Sequence, residues 1–377
     1  MQLDNLTYSE HEGQGKEWIL NNCILGKINL IVGKNAVGKT RFLNTIKSLA
    51  DLVSGERKVG NANYNVKFSD DSQHYQYFLH FENGSLKKEQ LDIDDETLMV
   101  RGEDGSGEIF FEEIGNKHPF QSPTNEVAVF ARRDSVQHPY LDNLYQWGKN
   151  LRKYDFGTSL GRDVLAVYQE AKDDKPQVNL KDYNQIVSIF QAGVHNFSNI
   201  FVDNIKDDMR HIGYDIESIR LSQTIGLNFT PPAQPYAIHI KERNIDYDIP
   251  QIHISQGMFR AFSIIAQINY SILAGTTSCI LVDDIGEGLD YERSIKLKDL
   301  MIEKSQNNSV QLIMATNDRF VMNKVPLEYW IILHRKGNQV YNYSYHNSKA
   351  LFDKFETTGL NNFDLFASEH YLKSQDH

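Results

Sequence analysis

The chain has 377 residues, of which 40% are hydrophobic and 24% charged. This length and composition are those of a globular protein that buries a large core in one or two domains. The formal net charge of −11 argues against a surface that binds nucleic acid over its whole extent, although it leaves room for a local basic groove. The two cysteines, Cys23 and Cys279, stand far apart without neighbours at metal-ligand spacing, so neither a disulfide framework nor a structural zinc is expected.

Targeting and membrane segments are not expected either. Residues 1–5 carry neither the basic nor the apolar part of a signal peptide. The most apolar long stretch, residues 261–274, is too short to span a bilayer and contains Gln267 and Asn269. We therefore expect a soluble, cytoplasmic protein without membrane insertion.

The N-terminal residues predict short strands followed by a glycine-rich loop and a helix. Strand patterns occur at 3–8, 18–19 and 28–32. The third leads directly into the sequence GKNAVGKT at 33–40, and the residues that follow have helical periodicity up to Gly55. Strand, glycine loop and helix in this order are the context of a P-loop, a phosphate-binding motif.

The residue types of this loop suit a triphosphate. Glycines allow consecutive backbone N–H groups to turn around an anion, at which the positive end of the helix dipole also points. Lys39 would reach the β- and γ-phosphates, and the Thr40 hydroxyl would bind Mg²⁺. A chance match in a glycine-bearing loop is the alternative, but the flanking strand and helix argue against it. The nucleotide contacts predicted from this segment are Gly33, Lys34, Asn35, Ala36, Val37, Gly38, Lys39, Thr40 and Arg41.

An antiparallel β subdomain is predicted next. Residues 63–114 alternate between apolar and polar in short runs, and Asn83 and Gly84 form a dipeptide typical of a tight hairpin. The apolar segment 126–130 is predicted as a further strand, which ends in a loop over 131–139.

A helical lobe is predicted over residues 141–225, with one helix candidate at 160–171. No heptad pattern persists in this region, so a coiled coil is not expected. The basic cluster Lys149, Arg152 and Lys153 is compatible with nucleic-acid contact, although a helix surface with extended side-chain stems is the simpler interpretation.

The C-terminal third returns to an α/β pattern. Its predicted elements are a hairpin over 236–249, a helix over 257–274, a strand over 279–282, a helix over 290–304, a strand over 310–315 and paired strands at 330–333 and 340–345. The polar residues 367–377 are expected to be loosely held.

Acidic and hydroxyl side chains stand at the ends of these elements. Asp283 and Asp284 follow a buried strand, where Asp283 would complete the Mg²⁺ shell of a P-loop and Asp284 would polarise the attacking water. Without the P-loop, the same residues would be an acidic turn. Ser255 and Gly257 open an apolar helix and offer a second phosphate-binding N-terminus, for which an ordinary serine cap is the alternative.

In this order the motifs resemble those of the ABC-type ATPase superfamily, with GEGLD at 286–290 where that family has its D-loop. Asn35 makes the P-loop most similar to the soluble SMC, RecF and overcoming-lysogenization-defect branch, which includes AAA family ATPases of prokaryotic repair or defence systems. The resemblance implies an α/β P-loop NTPase fold with an ABC-ATPase-like core, an antiparallel β subdomain and an inserted helical lobe. It also implies ATP and Mg²⁺ at the interface of a homodimer, in which the signature of one protomer closes over the γ-phosphate held by the other.

Three positions depart from the family pattern. Asp284 stands where the family usually has glutamate, so hydrolysis is expected to be slow or to use Glu287 instead. Asn317 follows a strand where the family usually has a γ-phosphate-sensing histidine; it can donate a hydrogen bond but cannot shuttle a proton, and a polar strand cap explains it equally well. Gln256 and Met258 interrupt the glycine-rich signature, so the contact in trans rests on Ser255 and Gly257.

For two further nucleotide contacts, the Q-loop residue and the adenine contact, the sequence leaves alternatives open. Gln137 follows the predicted strand 126–130 where the family has its Q-loop, and Arg132 and Arg133 compete with it as phosphate or partner contacts. A solvated face is the simpler interpretation of the two arginines. For the adenine base, Tyr8 and Lys16 both stay open.

The resemblance implies an ATP-binding and hydrolysing dimeric switch that controls a partner effector in DNA repair or anti-phage defence. We predict the N-terminal part of the ATPase core over 1–140, the helical lobe over 141–235 and the C-terminal part of the core over 236–377. The chain shows no nuclease carboxylate cluster, so an effector such as a nuclease would be a separate chain, and contact with nucleic acid has no support in the residues. Two alternatives stay open: the ATP-binding subunit of a membrane transporter, and a P-loop small-molecule kinase in which one protomer suffices.

Overall fold

A computed structural model describes residues 1–70, 72–169, 178–223 and 233–372. The chain forms two compact units. The first comprises Met1–Leu151, Ser278–Leu281 and Ser309–His377, and the second Arg152–Thr277 and Val282–Asn308. Among the described residues, every helix is too short or too polar to cross a lipid bilayer.

Most strands of the first unit lie in its N-terminal segment. The elements of this segment are β1 (Gln2–Glu10), β2 (Trp18–Ile24), β3 (Ile28–Val32), α1 (Lys39–Val53), β4 (Ala62–Ser69), β5 (His74–Glu82), β6 (Ser85–Ile93), β7 (Glu96–Arg101), β8 (Ser106–Phe111), β9 (Asn116–Gln121), α2 (Ala128–Ala131) and α3 (Tyr140–Asn150). All residues of β3 are buried, as expected of a parallel strand that is covered on both faces. Buried and partly exposed residues alternate along β5, so only one face of that strand meets the core.

The rest of the chain alternates between the units. Its elements are β10 (Arg152–Asp155), β11 (Ala166–Gln169), α4 (Ile186–His211), β12 (Ile216–Gln223), β13 (Ala233–Glu242), β14 (Ile249–Pro250), α5 (Gln256–Leu273), β15 (Cys279–Asp283), α6 (Tyr291–Asn307), β16 (Gln311–Ala315), α7 (Arg319–Asn323), β17 (Trp330–Lys336), β18 (Gln339–Ser344), α8 (Tyr345–Glu356) and α9 (Asn362–Ala367). Short 3₁₀ helices lie at Tyr183–Gln185, Gln251–His253, Leu327–Tyr329 and His370–Leu372.

The sheet of the first unit has the order β15-β16-β3-β17-β18-β2-β1-β4-β5-β6-β7-β8-β9. Its parallel part surrounds β3, which pairs with β16 on one side and β17 on the other. From β2 onward the neighbouring strands are antiparallel, and β4 to β9 follow one another as a meander with the Asn83-Gly84 turn between β5 and β6. The predicted antiparallel β subdomain is therefore confirmed.

The second unit combines a small antiparallel sheet with the helices α4, α5 and α6, of which α4 and α5 pack on each other. In the sheet, β13 lies between β11 and β12 and also pairs with β14. Helix α4 packs on α5 through Phe190, whose ring centroid lies 6.0 Å from that of Phe262 on α5. The Phe190 ring also lies 5.7 Å from that of Phe201 on α4 itself. Strand β10 lies beside the end of β15, where the Phe156 N–H donates to the Asp283 carbonyl at 2.9 Å.

Four local predictions need correction. The segment 126–130 contains the short helix α2 instead of a strand, because a run of four apolar residues, at 127–130, does not distinguish the two. The helix candidate at 160–171 contains β11, and residues 170–171 lie outside the described range. The end of the segment 141–225, which was predicted to be helical, contains strand β12. Finally, part of the segment 367–377 is fixed: Tyr371 is buried and packs on Tyr343 with centroids 5.3 Å apart, while residues 373–377 lie outside the description.

Candidate functional site

The glycine-rich loop leaves β3 in a conformation that needs its glycines. Gly38 has φ 111° and forms the N-cap of α1, a region of backbone space that favours glycine. At Gly33 a Cβ atom would lie 2.7 Å from Val37 Cγ1 and 3.0 Å from the Leu333 carbonyl oxygen, so no side chain fits there. Among the described residues, no side chain caps the N-terminus of α1. The first-turn N–H groups are thus arranged as in a site that binds an anion.

Lys39 folds back over this loop. Its side chain is buried, and Nζ donates to the Gly33 carbonyl at 2.8 Å and to the Lys34 carbonyl at 3.4 Å. These neutral acceptors keep the charged amine at the mouth of the loop, where a phosphate oxygen would be a stronger partner. Thr40 is exposed in the first turn of α1, so its hydroxyl is accessible to a ligand.

Two other predicted nucleotide contacts, Arg41 and Lys34, already have ionic partners within the first unit. Arg41 pairs with Glu10, with 2.8 Å between Nε and Oε1, and its guanidinium lies 4.9 Å from the centroid of the Trp18 ring. Lys34 forms an ion pair with Glu369. These contacts link the loop and the first turn of α1 to β1, β2 and the C-terminal segment.

Asn317 follows the strand that lies next to β3. Ala315 of β16 pairs with Ile31 of β3, and Asn317 lies two residues beyond the end of β16. Asn317 is exposed, and Asp318 caps the following helix α7 through the Phe320 N–H at 2.7 Å. The predicted contact of Asn317 with the γ-phosphate stays a prediction.

Gln137 does not follow a strand, contrary to the prediction from the sequence. The expected preceding strand is the helix α2, and Gln137 is exposed in a loop whose carbonyl oxygen accepts from the Glu112 N–H at 3.0 Å. Arg132 and Arg133 also contact their own unit, through the Gln121 carbonyl at 2.9 Å and Asp142 at 2.9 Å respectively. A nucleotide role of Gln137 therefore stays a prediction.

The two adenine candidates differ in accessibility. Tyr8 is buried between Trp18 and Tyr64, with ring centroids 5.8 Å and 4.7 Å away, and burial raises the pKa of its hydroxyl far above its ordinary value. Its faces are used by the core of the first unit. Lys16 is exposed in the turn between β1 and β2.

In the second unit, Asp283 ends β15 with an unsatisfied oxygen. The residue is 5% exposed, and its Oδ1 finds no hydrogen-bond partner among the described residues. A buried carboxylate oxygen in that state is costly unless a cation or water meets it. Within the described ranges, no group of three or more His, Cys, Asp or Glu side chains could hold a metal ion. One carboxylate, one hydroxyl and phosphate oxygens are the ligand set of a nucleotide-bound Mg²⁺, and a buried carboxylate such as that of Asp283 is a suitable oxygen donor for this ion.

Asp284 and Ser255 have distinct backbone settings. Asp284 is partly exposed and has φ 54°, a left-handed conformation that costs energy for a residue with a Cβ atom. Ser255 is exposed and caps α5, its Oγ accepting from the Met258 N–H at 3.4 Å. A Cβ atom on Gly257 would lie 2.6 Å from the Gly288 carbonyl oxygen, so the signature turn packs directly on the segment 286–290.

One residue of this unit was missed in the sequence. Arg260 is buried in α5 and donates to backbone carbonyls on both sides of it, those of Gly157, Thr158 and Glu287. Burial lowers the pKa of its guanidinium, while the charge of Glu287 acts in the opposite direction. The signal in the sequence is that Arg260 is the one charged residue in the apolar helix Gln256–Leu273.

Together the loop, the parallel strands around it and the antiparallel subdomain define a mixed α/β protein with a P-loop, ABC-ATPase-like core, as predicted. No protein-family model and no curated protein matches the sequence. Solved structures do match. A crystal structure of an Smc head bound to the C-winged helix domain of ScpA has 13% sequence identity and a TM-score of 0.53, with 93% of this chain and 99% of that chain covered.

Two further head domains match with lower scores. The SMC head domain from Thermotoga maritima has 14% identity and a TM-score of 0.45, with 91% of this chain and 99% of that chain covered. An Smc head with an extended coiled coil, bound to the C-terminal domain of ScpA derived from Pyrococcus furiosus, has 12% identity and a TM-score of 0.45, with 94% and 99% covered. At 13% identity, the similarity to the first of these structures concerns the fold.

Proposed function

We propose that the chain binds and hydrolyses ATP and acts as a dimeric switch of the ABC/SMC-like type. The observation that carries the proposal is the loop at 33–40, which Lys39 Nζ closes on the Gly33 carbonyl at 2.8 Å. The loop follows a fully buried parallel strand, in a chain whose fold resembles that of an SMC head. This is the local structure in which a triphosphate binds by backbone N–H groups and a lysine.

The first unit supplies the phosphate contacts in this proposal. Lys39 exchanges its carbonyl partners for the β- and γ-phosphates, and the N-terminus of α1 supplies N–H donors. Asn317, which follows the strand beside β3, donates a hydrogen bond to the γ-phosphate. When bound, Mg²⁺ neutralises charge on the β- and γ-phosphates.

The second unit supplies the acidic residues and the signature. The order of motifs along the chain pairs Asp283 with Thr40 as Mg²⁺ ligands, and the unsatisfied Oδ1 of Asp283 supports this role. Asp284 positions the attacking water, with Glu287 as the alternative carboxylate. Ser255 and Gly257 of one protomer contact the γ-phosphate bound by the other, so ATP favours the closed homodimer and hydrolysis releases it.

We further propose that the switch controls a separate effector chain in DNA repair or anti-phage defence. The Smc head of the matched crystal structure holds a domain of another protein, ScpA. In this proposal, an effector such as a nuclease is a separate chain. This role rests on analogy with the fold.

The test uses Asp284→Asn, which removes the charge while asparagine tolerates the left-handed backbone at this position. We expect ATP turnover to fall about a hundredfold or more. Because ATP then persists, we also expect a dimer to accumulate with Mg²⁺ and ATP, seen by size-exclusion chromatography with light scattering. Turnover measured with and without DNA tells whether nucleic acid stimulates the switch.

Two further variants complete the experiment. Lys39→Ala should lose both nucleotide binding and the dimer, and Ser255→Arg should lose only the dimer and turnover. If Asp284→Asn stays monomeric with ATP while wild-type turnover is measurable, the switch is wrong and a single-protomer enzyme such as a kinase is favoured.

A further inference from the structure

Arg260 occupies an unusual place for a charged side chain. It lies in the second turn of α5, five residues after Ser255, and is 6% exposed. The helix around it is otherwise apolar or uncharged. Burying a guanidinium is costly unless its N–H donors form hydrogen bonds. The hydrogen-bond acceptors of Arg260 therefore indicate its role.

Its partners are backbone carbonyls from two separate loops. Nε donates to the Thr158 oxygen and Nη2 to the Gly157 oxygen, both at 2.6 Å. Nη1 donates to the Glu287 oxygen at 3.0 Å. The planar fork therefore joins the loop that follows β10 to the segment 286–290, and both to the helix that begins at Ser255.

The space around the guanidinium depends on glycines. A Cβ atom on Gly288, where φ is +79°, would lie 2.6 Å from Arg260 Nη1. One on Gly157 would lie 2.6 Å from Glu287 Oε2. One on Gly257 would lie 2.6 Å from the Gly288 carbonyl. At Gly257 the added Cβ would meet backbone, so a side chain there would push α5 and the segment 286–290 apart, whereas at Gly157 and Gly288 it would displace the ends of the Glu287 and Arg260 side chains.

The same helix makes a second contact to the loop after β10. Ser263 Oγ, one turn beyond Arg260, donates to the Leu160 carbonyl at 2.8 Å. Both residues therefore hold residues 157–160 against one face of α5. A hydrophobic residue in place of Arg260 would fill the volume but could not fix two loops by direction-dependent bonds.

We infer that Arg260 is a positioning residue, which holds the signature turn at Ser255, the loop at 157–160 and the segment 286–290 as one body. This inference rests on the proposed function, in which Ser255 must meet a γ-phosphate of the other protomer. Through the Glu287 carbonyl, Arg260 also fixes the turn that carries Asp284, because the Glu287 N–H donates to the Asp284 carbonyl at 3.2 Å. Loss of the fork would leave nucleotide binding in place but misplace the groups that act across the dimer.

The experiment compares three variants of the full chain. Arg260→Met keeps the length of the side chain and removes the fork. Gly288→Ala leaves Arg260 in place and pushes a methyl group into its guanidinium. Gly275→Ala is the matched control, because Gly275 also has a positive φ, +62°, but no heavy atom of the described chain lies within 4 Å of the added Cβ.

For Arg260→Met and Gly288→Ala we expect kcat to fall about a hundredfold with KM little changed, as for a misplacement of about 1 Å. The ATP-dependent dimer should be lost, while the Kd of a fluorescent ATP analogue for the monomer stays within about twofold of the control. Gly275→Ala should behave as wild type in these assays, with at most a modest fall in thermal stability.

Two outcomes would overturn the inference. One is turnover and dimerisation of Arg260→Met and Gly288→Ala equal to those of Gly275→Ala. The other is loss of folding and nucleotide binding together with turnover, which would make Arg260 a structural residue. Failure of the proposed function is distinguishable, because the wild-type chain would then show neither an ATP-dependent dimer nor turnover.

Discussion

The Asp283 carboxylate allows the proposed Mg²⁺ site to be tested at a single residue. Its Oδ1 is buried and has no hydrogen-bond partner among the described residues, whereas its backbone carbonyl is satisfied by the Phe156 N–H. Polar atoms that are buried without a partner are rare in folded proteins and have a cost. In the proposed function, a Mg²⁺ ion bound by this oxygen would remove that cost.

Replacing Asp283 with asparagine should separate stability from function. We expect the melting temperature of the nucleotide-free chain to stay the same or rise, because an unpaired buried charge is removed. The further rise in melting temperature that Mg²⁺ with ATP causes in the wild type should disappear, since the ligand binds the folded state less well. Differential scanning calorimetry with and without Mg²⁺ and ATP measures both effects.

Asp163→Asn provides the control, because Asp163 is exposed in the same unit. It should keep the full response to Mg²⁺ and ATP. A variant Asp283→Asn that keeps this response would exclude Asp283 as a metal ligand.

Residues differ in how far the sequence could reveal their roles. The loop at 33–40 was predictable because its chemistry is local: strand, glycines, lysine and helix are contiguous in the chain. Arg152 and Lys153 were expected on a helix surface but are buried in β10, where Arg152 Nη2 donates to the Thr276 carbonyl at 2.9 Å. The hydrogen-bond acceptors of such buried basic side chains come from residues far away in the sequence. No local sequence pattern therefore predicts their burial.

Elements show the same division. Strands β3 and β15 were recognised because parallel strands covered on both faces are continuous apolar runs. The meander from β4 to β8 was recognised by alternation and by the Asn83-Gly84 turn. Strand β10 was not, because its sequence, RKYD, is polar and its burial comes from tertiary packing.

Helix α2, which was expected to be a strand, is fixed by a buried carboxylate. Both oxygens of Glu89 on β6 accept from the Ala128 N–H in the first turn of α2, at 2.9 and 3.0 Å. The same carboxylate pairs with Arg101 on β7, with 2.7 Å to Nε, and accepts from the Tyr77 hydroxyl. Negative charge at a helix N-terminus is stabilising. The long-range ion pair therefore decides the structure of an ambiguous apolar run.

Arg101→Met should be strongly destabilising. Glu89 and Arg101 are both fully buried, so the variant leaves Glu89 as an uncompensated buried charge. We expect the free energy of unfolding to fall by about 3–5 kcal/mol, measured by urea denaturation. Lys87→Met is the control: it breaks an exposed pair with Glu103 on the same sheet and should leave the denaturation midpoint unchanged. Equal midpoints for the two variants would contradict a structural role of the buried pair.

At the scale of the whole molecule, neither unit is a continuous stretch of chain. Strand β3 lies between β16 and β17, which come about 280 to 300 residues later in the sequence. By contrast, β4 to β9 pair only with near neighbours in sequence once β1 is in place. The candidate phosphate loop is thus supported by the most non-local part of its sheet.

This topology predicts an order of folding. Contacts between distant residues pay more loop-closure entropy, so they form later than local hairpins. We expect the amides of β5, β6 and β7 to become protected before those of β3 and β17 during refolding from urea. Pulsed hydrogen exchange with mass spectrometry gives the order. Protection of β3 at the same time as β6 would show that the meander is not an early unit.

The left-handed backbone at Asp284 has a bearing on how this chain could change over evolutionary time. Aspartate and asparagine tolerate φ 54° better than most side chains, whereas glutamate, with its longer stem, does so less readily. The short side chain of Asp284 therefore suits the left-handed backbone of its turn. A descendant that gained glutamate here would first have to relax the backbone around residue 284, so the acid at this position and the conformation of its turn would change together.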